Sequence, residues 1–462
     1  MTEDKKENLF YKAIWRWHFY AGVFVTPFIM ILAVTGMIMM YISYFDGRDG
    51  ENVTILVPKD AVSISYERQS NTAQNLYPDS KLVEFMKAPK ENRVNIFRLK
   101  LKDNSQTLVA INPYTGDVVD DWKRREGWYD FADEIHSDLL LGTKGDRLLE
   151  IAAGFGIVLL ITGLYLWWPR DKKMRESLIP NFTLKGRDFF KELHVSIGVY
   201  ISIFFFLFLL SGMTWTGVWG GKIVQAWSTF PAEKWSQIPL SDKTHASLNN
   251  GSTEGMPWAI TQTKLPISGT NMGISGTLKG EIVNLDSIVN LAQRIGFESR
   301  YRISFPKEET SVWTINQDTM DGDALNPFSD KTVHIDRYTG KVLATVTFDD
   351  YSLAGKTMAI SIPLHMGLVS IWNLILNTIV CLAIIVMCIT GIIMWWKRRP
   401  SNTGFKLLPP AMPKNLPHFQ NAMLVMLIIS LLFPLVGLTL VSVLFLDFVL
   451  FSRINKLKKI LK

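Results

Sequence analysis

Cysteine is nearly missing from the 462 residues: Cys381 and Cys388 are the only two, and both sit in one apolar run. That excludes a disulfide framework and a CxxC metal site, and leaves both as packing residues. No glycine fingerprint of the dinucleotide-binding kind follows a strand, which excludes a nicotinamide-binding module of that type. Histidine is sparse, with seven in all, and residues 397–417 contain no acid. What abounds instead is aromatic and thioether side chain, with 27 Phe, 15 Trp and 18 Met in a chain that is 48% apolar and carries a net charge of +7. Such a composition fits membrane spans joined to water-exposed domains. The positive charge gathers beside apolar runs, so its partner is lipid and no nucleic acid is expected.

A helical run of about 20 apolar residues crosses a ~30 Å hydrocarbon core. Five occur, at roughly 18–43, 147–168, 194–219, 371–396 and 420–450. The first lacks a small-residue cleavage site and is expected to stay as a signal anchor. Linker 169–192 holds Arg170, Lys172, Lys173, Arg175, Lys185, Arg187 and Lys191, and 397–417 holds five Lys/Arg and no acid. The positive-inside rule puts both linkers and the N-terminus in the cytoplasm, and 44–135 and 220–364 outside. Splitting 420–450 at Pro434 would leave two spans of ~21 Å each, too short to cross. It is read as one span, which leaves the basic tail 453–462 outside.

The chain is written twice. His18 is followed by Gly22 and by Thr35-Gly36, and His194 by Gly198 and Ser211-Gly212, in the same register. His136 precedes Thr162-Gly163 and a closing "YLWWPRDKK"; His365 precedes Thr390-Gly391 and "IMWWKRRP". Between the members of each pair lie alternating segments around "PYTG" and "RYTG", which predict strand, tight turn, strand with Gly116 and Gly340 in the turns. Leu285, Ile288, Val289 and Ala292 mark one face of a helix. The predicted layout is 1–43 with the first span, 44–135 a first exterior domain, 136–168 a span led by His136, and 169–193 a basic linker. Then come 194–219 as the third span, 220–364 a second exterior domain, 365–396 a span led by His365, 397–417 a Pro-rich linker, and 418–462 the fifth span and tail.

Four histidines thus occupy repeat-equivalent positions at span entrances. Any one alone reads as an interfacial anchor; four together point to function, because polar groups near a membrane core are costly. His18 and His194 enter from the cytoplasmic side, His136 and His365 from the exterior. Two imidazoles from facing helices can hold a six-coordinate haem iron suited to electron transfer. A zinc or copper centre is the rival, but two histidines with no recurring Cys or carboxylate are too few for a closed site. The glycines near them serve either to make room for a macrocycle or to let helices pack closely. His136 lies 32 residues before Trp168, a helical path of ~48 Å that exceeds the ~40–45 Å bilayer, so it is expected at or above the exterior surface. His334 is expected to be solvated or to support a turn, His245 to lie in a polar loop, and His418 to start a span without a repeat counterpart. The paired tryptophans read as interfacial anchors.

His-x3-Gly entering a span that ends in Thr/Ser-Gly, an exterior Y-T-G-x-V, then a His-led span ending T-G-[LI]-x-x-W-W-x-[KR] resembles the PepSY-associated transmembrane helix family of iron-regulated inner-membrane proteins, over about residues 10–400. The resemblance implies a membrane protein, mainly an α-helical bundle of about five duplicated transmembrane helices, with two small α+β PepSY-like periplasmic domains. It implies a bacterial inner-membrane role in iron acquisition, most like the ferric-siderophore reductases, with two b-type haems on His18, His194, His136 and His365. Some relatives carry a flavodoxin-like or ferredoxin-reductase-like module; residues 397–462 hold only a linker, a span and a tail. The electron donor is therefore expected to be separate, a cytosolic reductase or membrane quinol, and the substrate ferric iron or a ferric siderophore. The rival expectation is a membrane-anchored PepSY-type binding or regulatory protein, or a non-redox accessory factor of iron uptake. Both rivals predict a colourless protein.

Overall fold

The structure is a computed structural model and describes residues 3–170, 173–224, 237–249, 258–400, 407, 410 and 420–446. His418, most of the 397–417 linker and the basic tail lie outside the described residues. The helices are α1 (Glu3–Phe45), α2 (Tyr66–Leu76), α3 (Trp128–Asp138), α4 (Thr143–Trp167), α5 (Met174–Leu178), α6 (Gly186–Met213), α7 (Leu285–Arg294), α8 (Leu353–Met366), α9 (Ile371–Arg398), α10 (Gln420–Leu432) and α11 (Pro434–Leu446). The strands are β1 (Lys81–Met86), β2 (Asn95–Lys100), β3 (Gln106–Ile111), β4 (Val118–Lys123), β5 (Leu240–Thr244), β6 (Lys264–Pro266), β7 (Arg302–Ser304), β8 (Trp313–Gln317), β9 (Lys331–Ile335) and β10 (Val342–Thr347). The chain divides into two units: Met1–Met37, Asp133–Val224 and Leu376–Lys462 form one, Ile38–Ala132 and Gln225–Ile375 the other.

Among the described residues, four helices are long and apolar enough to cross a membrane: α1, α4, α6 and α9. Ile203, Leu207, Ile379 and Leu382 are exposed on their outer faces, as apolar residues facing lipid should be. Where the helices meet, small residues let them approach: Gly22 faces Leu159, Gly156 faces Leu209 and Gly198 faces Met387, the small-residue packing usual between membrane helices. The glycines at these three contacts therefore follow the close-packing alternative.

Three sequence expectations change here. The segment 420–450 is not one span: it is α10 and α11, broken at Phe433 before Pro434. Proline cannot continue the helix it follows, since it lacks the N–H and clashes with the preceding turn. The two pieces pack on each other, and Val436 of α11 fills the space left by Gly154 of α4. Residues 136–168 are not one helix either. α3 ends at Asp138, Leu139 and Leu140 take positive φ of 57° and 60°, and α4 starts at Thr143. Likewise α8 stops on Gly367 at φ 75° before α9 begins at Ile371. Each of these two histidines therefore sits on a short helix ahead of its span. Finally, α6 begins eight residues before His194, so the imidazole lies inside the helix rather than at its start.

The second unit is built on an eight-stranded antiparallel sheet, ordered β10-β9-β8-β7-β1-β2-β3-β4. The expected strand, turn, strand units are there, yet they are not two separate domains. β1 pairs with β7, Phe85 opposite Ile303, and fuses the halves. Joining them hides two strand edges that separate sheets would leave open. α2 and α7 cover one face through Ala73, Leu285, Ile288, Val289 and Ala292, packed on Phe85, Phe97, Val109, Ile303 and Ile315. Asn284 and Ser287 form a reciprocal cap for α7, and Asp286 accepts the backbone N–H of Tyr66 at the start of α2 (2.6 Å).

The duplicated Y-T-G motif is a turn with each position used twice. Tyr114 and Tyr338 donate their hydroxyls to the carbonyls of Glu91 and Glu309, each at 3.0 Å. Asn112 and Asp336 accept from the backbone of the turn. Gly116 and Gly340 hold φ of 81° and 65°, where a side chain would be strained.

Candidate functional site

The bundle gathers three of the four expected histidines into one repeated arrangement. His18 Nδ1 lies 2.9 Å from Thr162 Oγ1, His136 Nδ1 2.9 Å from Thr35 Oγ1, and His194 Nδ1 3.1 Å from both Thr390 Oγ1 and the Met387 carbonyl. The Thr-Gly dipeptides singled out as ends of spans are thus the places where an imidazole from another helix docks. Each threonine hydroxyl donates its own hydrogen one turn back, Thr162 to Val158 O (2.7 Å), Thr35 to Ile31 O (2.8 Å) and Thr390 to Val386 O (2.8 Å). A hydroxyl has one hydrogen, so toward the imidazole it can only accept.

Nδ1 must therefore carry the proton in all three rings, and the Met387 carbonyl, which accepts only, demands the same of His194. The lone pair is left on Nε2. Fixing one nitrogen as donor so that the other is a ligand is how proteins prepare histidines for metals. Ser211, in the fourth dipeptide, makes the same backward bond to Leu207 O (2.6 Å).

The glycine after each threonine lets the ring lie flat against the helix. A Cβ on Gly163 would stand 3.3 Å from His18 Cε1, one on Gly36 3.3 Å from His136 Cε1, and one on Gly391 3.7 Å from His194 Cε1. These three glycines make room for imidazole, a role neither sequence alternative contained.

His18 and His194 face each other with ring centroids 6.5 Å apart and planes at 89°. They come from α1 and α6, one from each half of the duplication. His136 is on the last turn of α3, bonded to Thr35 well within α1, ten residues before that helix ends. The expectation of a height of ~48 Å above Trp168 fails, because the path from 136 to 168 is broken and not helical throughout. His365 occupies the last turn of α8.

The paired tryptophans do more than anchor. Trp167 Nε1 donates to Ser177 O (3.2 Å) and Trp395 Nε1 to Leu407 O (2.6 Å), tying each span end to the linker that follows. Arg399 lies over the Trp395 and Trp396 rings, and its Nε and Nη2, like Nε of Arg187, are buried with no hydrogen-bond partner among the described residues.

His334 and His245 depart from expectation. Neither is solvated: both are fully buried, Nε2 to Nε2 at 2.8 Å. His245 Nδ1 donates to Thr263 O (2.7 Å), so its Nε2 accepts, and His334 Nδ1 takes the remaining place opposite Thr314 Oγ1 (2.9 Å). Alternation along β9 put His334 on the second face of the sheet, but sequence could not show that this face is covered. Among the described residues no group of three or more His, Cys, Asp or Glu is placed to hold a metal ion.

The family model for the PepSY-associated TM region matches residues 15–398 of the chain. No curated protein matches it.

Proposed function

The chain belongs to the PepSY-associated TM region family of membrane proteins, and on that premise we propose that it is a di-haem electron conduit of the bacterial inner membrane that reduces ferric iron or ferric siderophores in the periplasm. The observation that carries the reading is the His18 and His194 pair. Two imidazoles that would hold one metal ion between them, each through a nitrogen at about 2 Å, would stand with ring centres roughly 6 Å apart. The pair stands at 6.5 Å, each ring with Nδ1 bound and Nε2 bearing the lone pair. The residues present fit the group. The orphaned guanidinium nitrogens of Arg187 and Arg399, near the basic ends of α6 and α9, add donors that a cofactor bearing carboxylates could satisfy.

Bound haem would supply one-electron chemistry at an iron with no open position. The protein's part is to hold and orient. Thr162 and Thr390 fix the tautomers, and the following glycines set how close each ring lies to the helix it docks on. For the second haem, His136 has the same threonine bond; His365 as its partner rests on the sequence repeat. The donor is a separate reductase or membrane quinol.

Spectra of the detergent-purified protein, oxidised and dithionite-reduced, test this together with haem quantitation. About two low-spin b-type haems per chain are expected, falling by one in His18→Ala and by one in His136→Ala. Colourless protein from haem-replete cells would overturn the reading in favour of a membrane-anchored binding or regulatory protein.

A further inference from the structure

We propose that the sheet unit carries a proton-binding site, in which Asp318 and Asp330 share one proton across a small cavity and a bound water links them to the Tyr351 hydroxyl. The site lies in the second half of the duplication and does not depend on the haem assignment.

The cavity measures about 20 Å³ and is lined by Asp318, Asp330 and Tyr351, with Ile362 and Pro363 of α8 closing one side. That is room for one water molecule. Tyr351 is 5% exposed, and its hydroxyl is buried without a hydrogen-bond partner among the described residues. Leaving a buried hydroxyl unmet is costly, so an occupant that accepts its hydrogen is called for.

The two carboxyls already hold neutral donors. Asp318 accepts from the backbone N–H of Asp321 (2.8 Å) and from Asn316 Nδ2 (3.1 Å); Asp330 Oδ1 accepts from Thr319 N (3.1 Å) and Oγ1 (3.2 Å). Cations nearby are committed elsewhere. Arg302 pairs with Asp323 and Asp321, Arg48 pairs with Asp321, and Lys356 on α8 lies over the Phe348 ring. Asp350 accepts from Thr347. Among the described residues neither Asp318 nor Asp330 has an ion-pair partner.

Two carboxylates buried together without a cation cannot both ionise cheaply, and one proton between them removes the conflict. Burial and the charge of Asp321 push Asp318 up to about 7, and burial and Asp318 push Asp330 up to about 8. A metal ion is the poorer occupant. Calcium asks for six to eight oxygens, and most of those here already accept hydrogen bonds. Pro363 is two residues before His365, so losing the proton places a second negative charge against the wall of the helix that carries this histidine.

The test is an infrared difference spectrum of the full-length protein in detergent between pH 5.5 and 9. A protonated-carboxyl band should vanish with a midpoint between about 7 and 8. It should be missing in Asp318→Asn and Asp330→Asn; Tyr351→Phe should keep it with the midpoint shifted by up to about one pH unit. Because folding raises the pH at which the pair gives up its shared proton, the stability that the proton confers is complete below about pH 4 and is lost as pH rises through 7 to 8. The thermal midpoint of the wild type should fall across that range, and that of Asp330→Asn should stay level. A band that persists in both asparagine variants would overturn the proposal. So would no band in the wild type, or calcium raising the wild-type midpoint at pH 8 but not that of the variants.

Discussion

In the helix bundle, His18 and His194 each spend one ring nitrogen on a threonine and keep the other; in the sheet unit, His245 and His334 spend both. His245 and His334 are fully buried while His18 and His194 are only half-buried, so depth does not mark the pair that keeps a free nitrogen. The difference lies in what the neighbours can donate. Thr162 and Thr390 give their hydrogen to their own helix and offer only an oxygen, which leaves an imidazole lone pair over. Around His245 and His334, donors and acceptors close on themselves, one carbonyl at one end and one hydroxyl at the other. A histidine prepared for a ligand is recognised by its unspent nitrogen, not by its depth.

The largest way to break this comparison is to delete one ring from each pair. His18→Ala should lose a whole haem on the reading above, with the sheet unit intact by proteolysis. His334→Ala should leave haem content unchanged and lower stability by about 1–3 kcal/mol, since His245 Nε2 then loses its bond to His334. Haem loss in His334→Ala, or none in His18→Ala, would reverse the roles. The pair also has a pH signature. Burial holds His245 down at about 4, and burial and then His245 hold His334 well below its ordinary value. Folded values below 6.5 mean that their contribution is complete above that pH and is lost as pH falls toward 4. Thermal midpoints of the wild type should therefore drop below pH 6, and those of His334→Ala should drop less. This runs opposite in sign to the Asp318 and Asp330 site, so the two separate on one pH scan.

The repeat made the bundle pair legible from sequence, and the same repeat hid the rest. His18 and His194 share a register with glycine and Thr/Ser-Gly, so their equivalence is written in the chain. That the dipeptide of one span receives the histidine of another was not, because spacing records positions along a helix and not which helix is adjacent. The Y-T-G turns were legible since a positive φ demands glycine. The fusion of two half-sheets was not, because an edge strand and an inner strand of the same composition look alike until their neighbours are known. The breaks at 139–142 were not legible either: two leucines take the left-handed region against their preference, in a turn closed by local bonds from Leu139 N to Ile135 O and from Leu141 N to Asp138 O. At Pro434 span length argues for one helix, and the local steric rule prevails.

A gentler change sharpens the comparison by sparing the ring. Thr162→Val keeps shape and removes the acceptor of His18 Nδ1–H. Loss of such an outer partner typically costs 10–100-fold in metal affinity. The expected result is protein that still takes up haem but releases it to a scavenger about that much faster, with a shifted midpoint potential. Thr162→Ser, which restores the oxygen, should return both values. The corresponding change in the sheet unit, Thr314→Val, should leave haem untouched and lower stability only, since His334 Nδ1 then lacks its donor. If Thr162→Val behaves as wild type, the threonine bond does not set the tautomer.

Smallest of all should be Gly163→Ala. One methyl group at 3.3 Å from His18 Cε1 is tighter than ordinary contact, so the ring must yield by a few tenths of an ångström. A displacement of that size leaves the Nδ1 bond in reach of Thr162 and tilts the imidazole without removing it. Haem content should stay near that of the wild type while the low-spin spectrum broadens or shifts. Gly391→Ala, where the same methyl would stand at the looser 3.7 Å from His194 Cε1, should change the spectrum less. Because the two glycines serve the two rings of one pair, an ordering in which Gly391→Ala is the more disruptive would contradict the geometry of the site even with both haems bound.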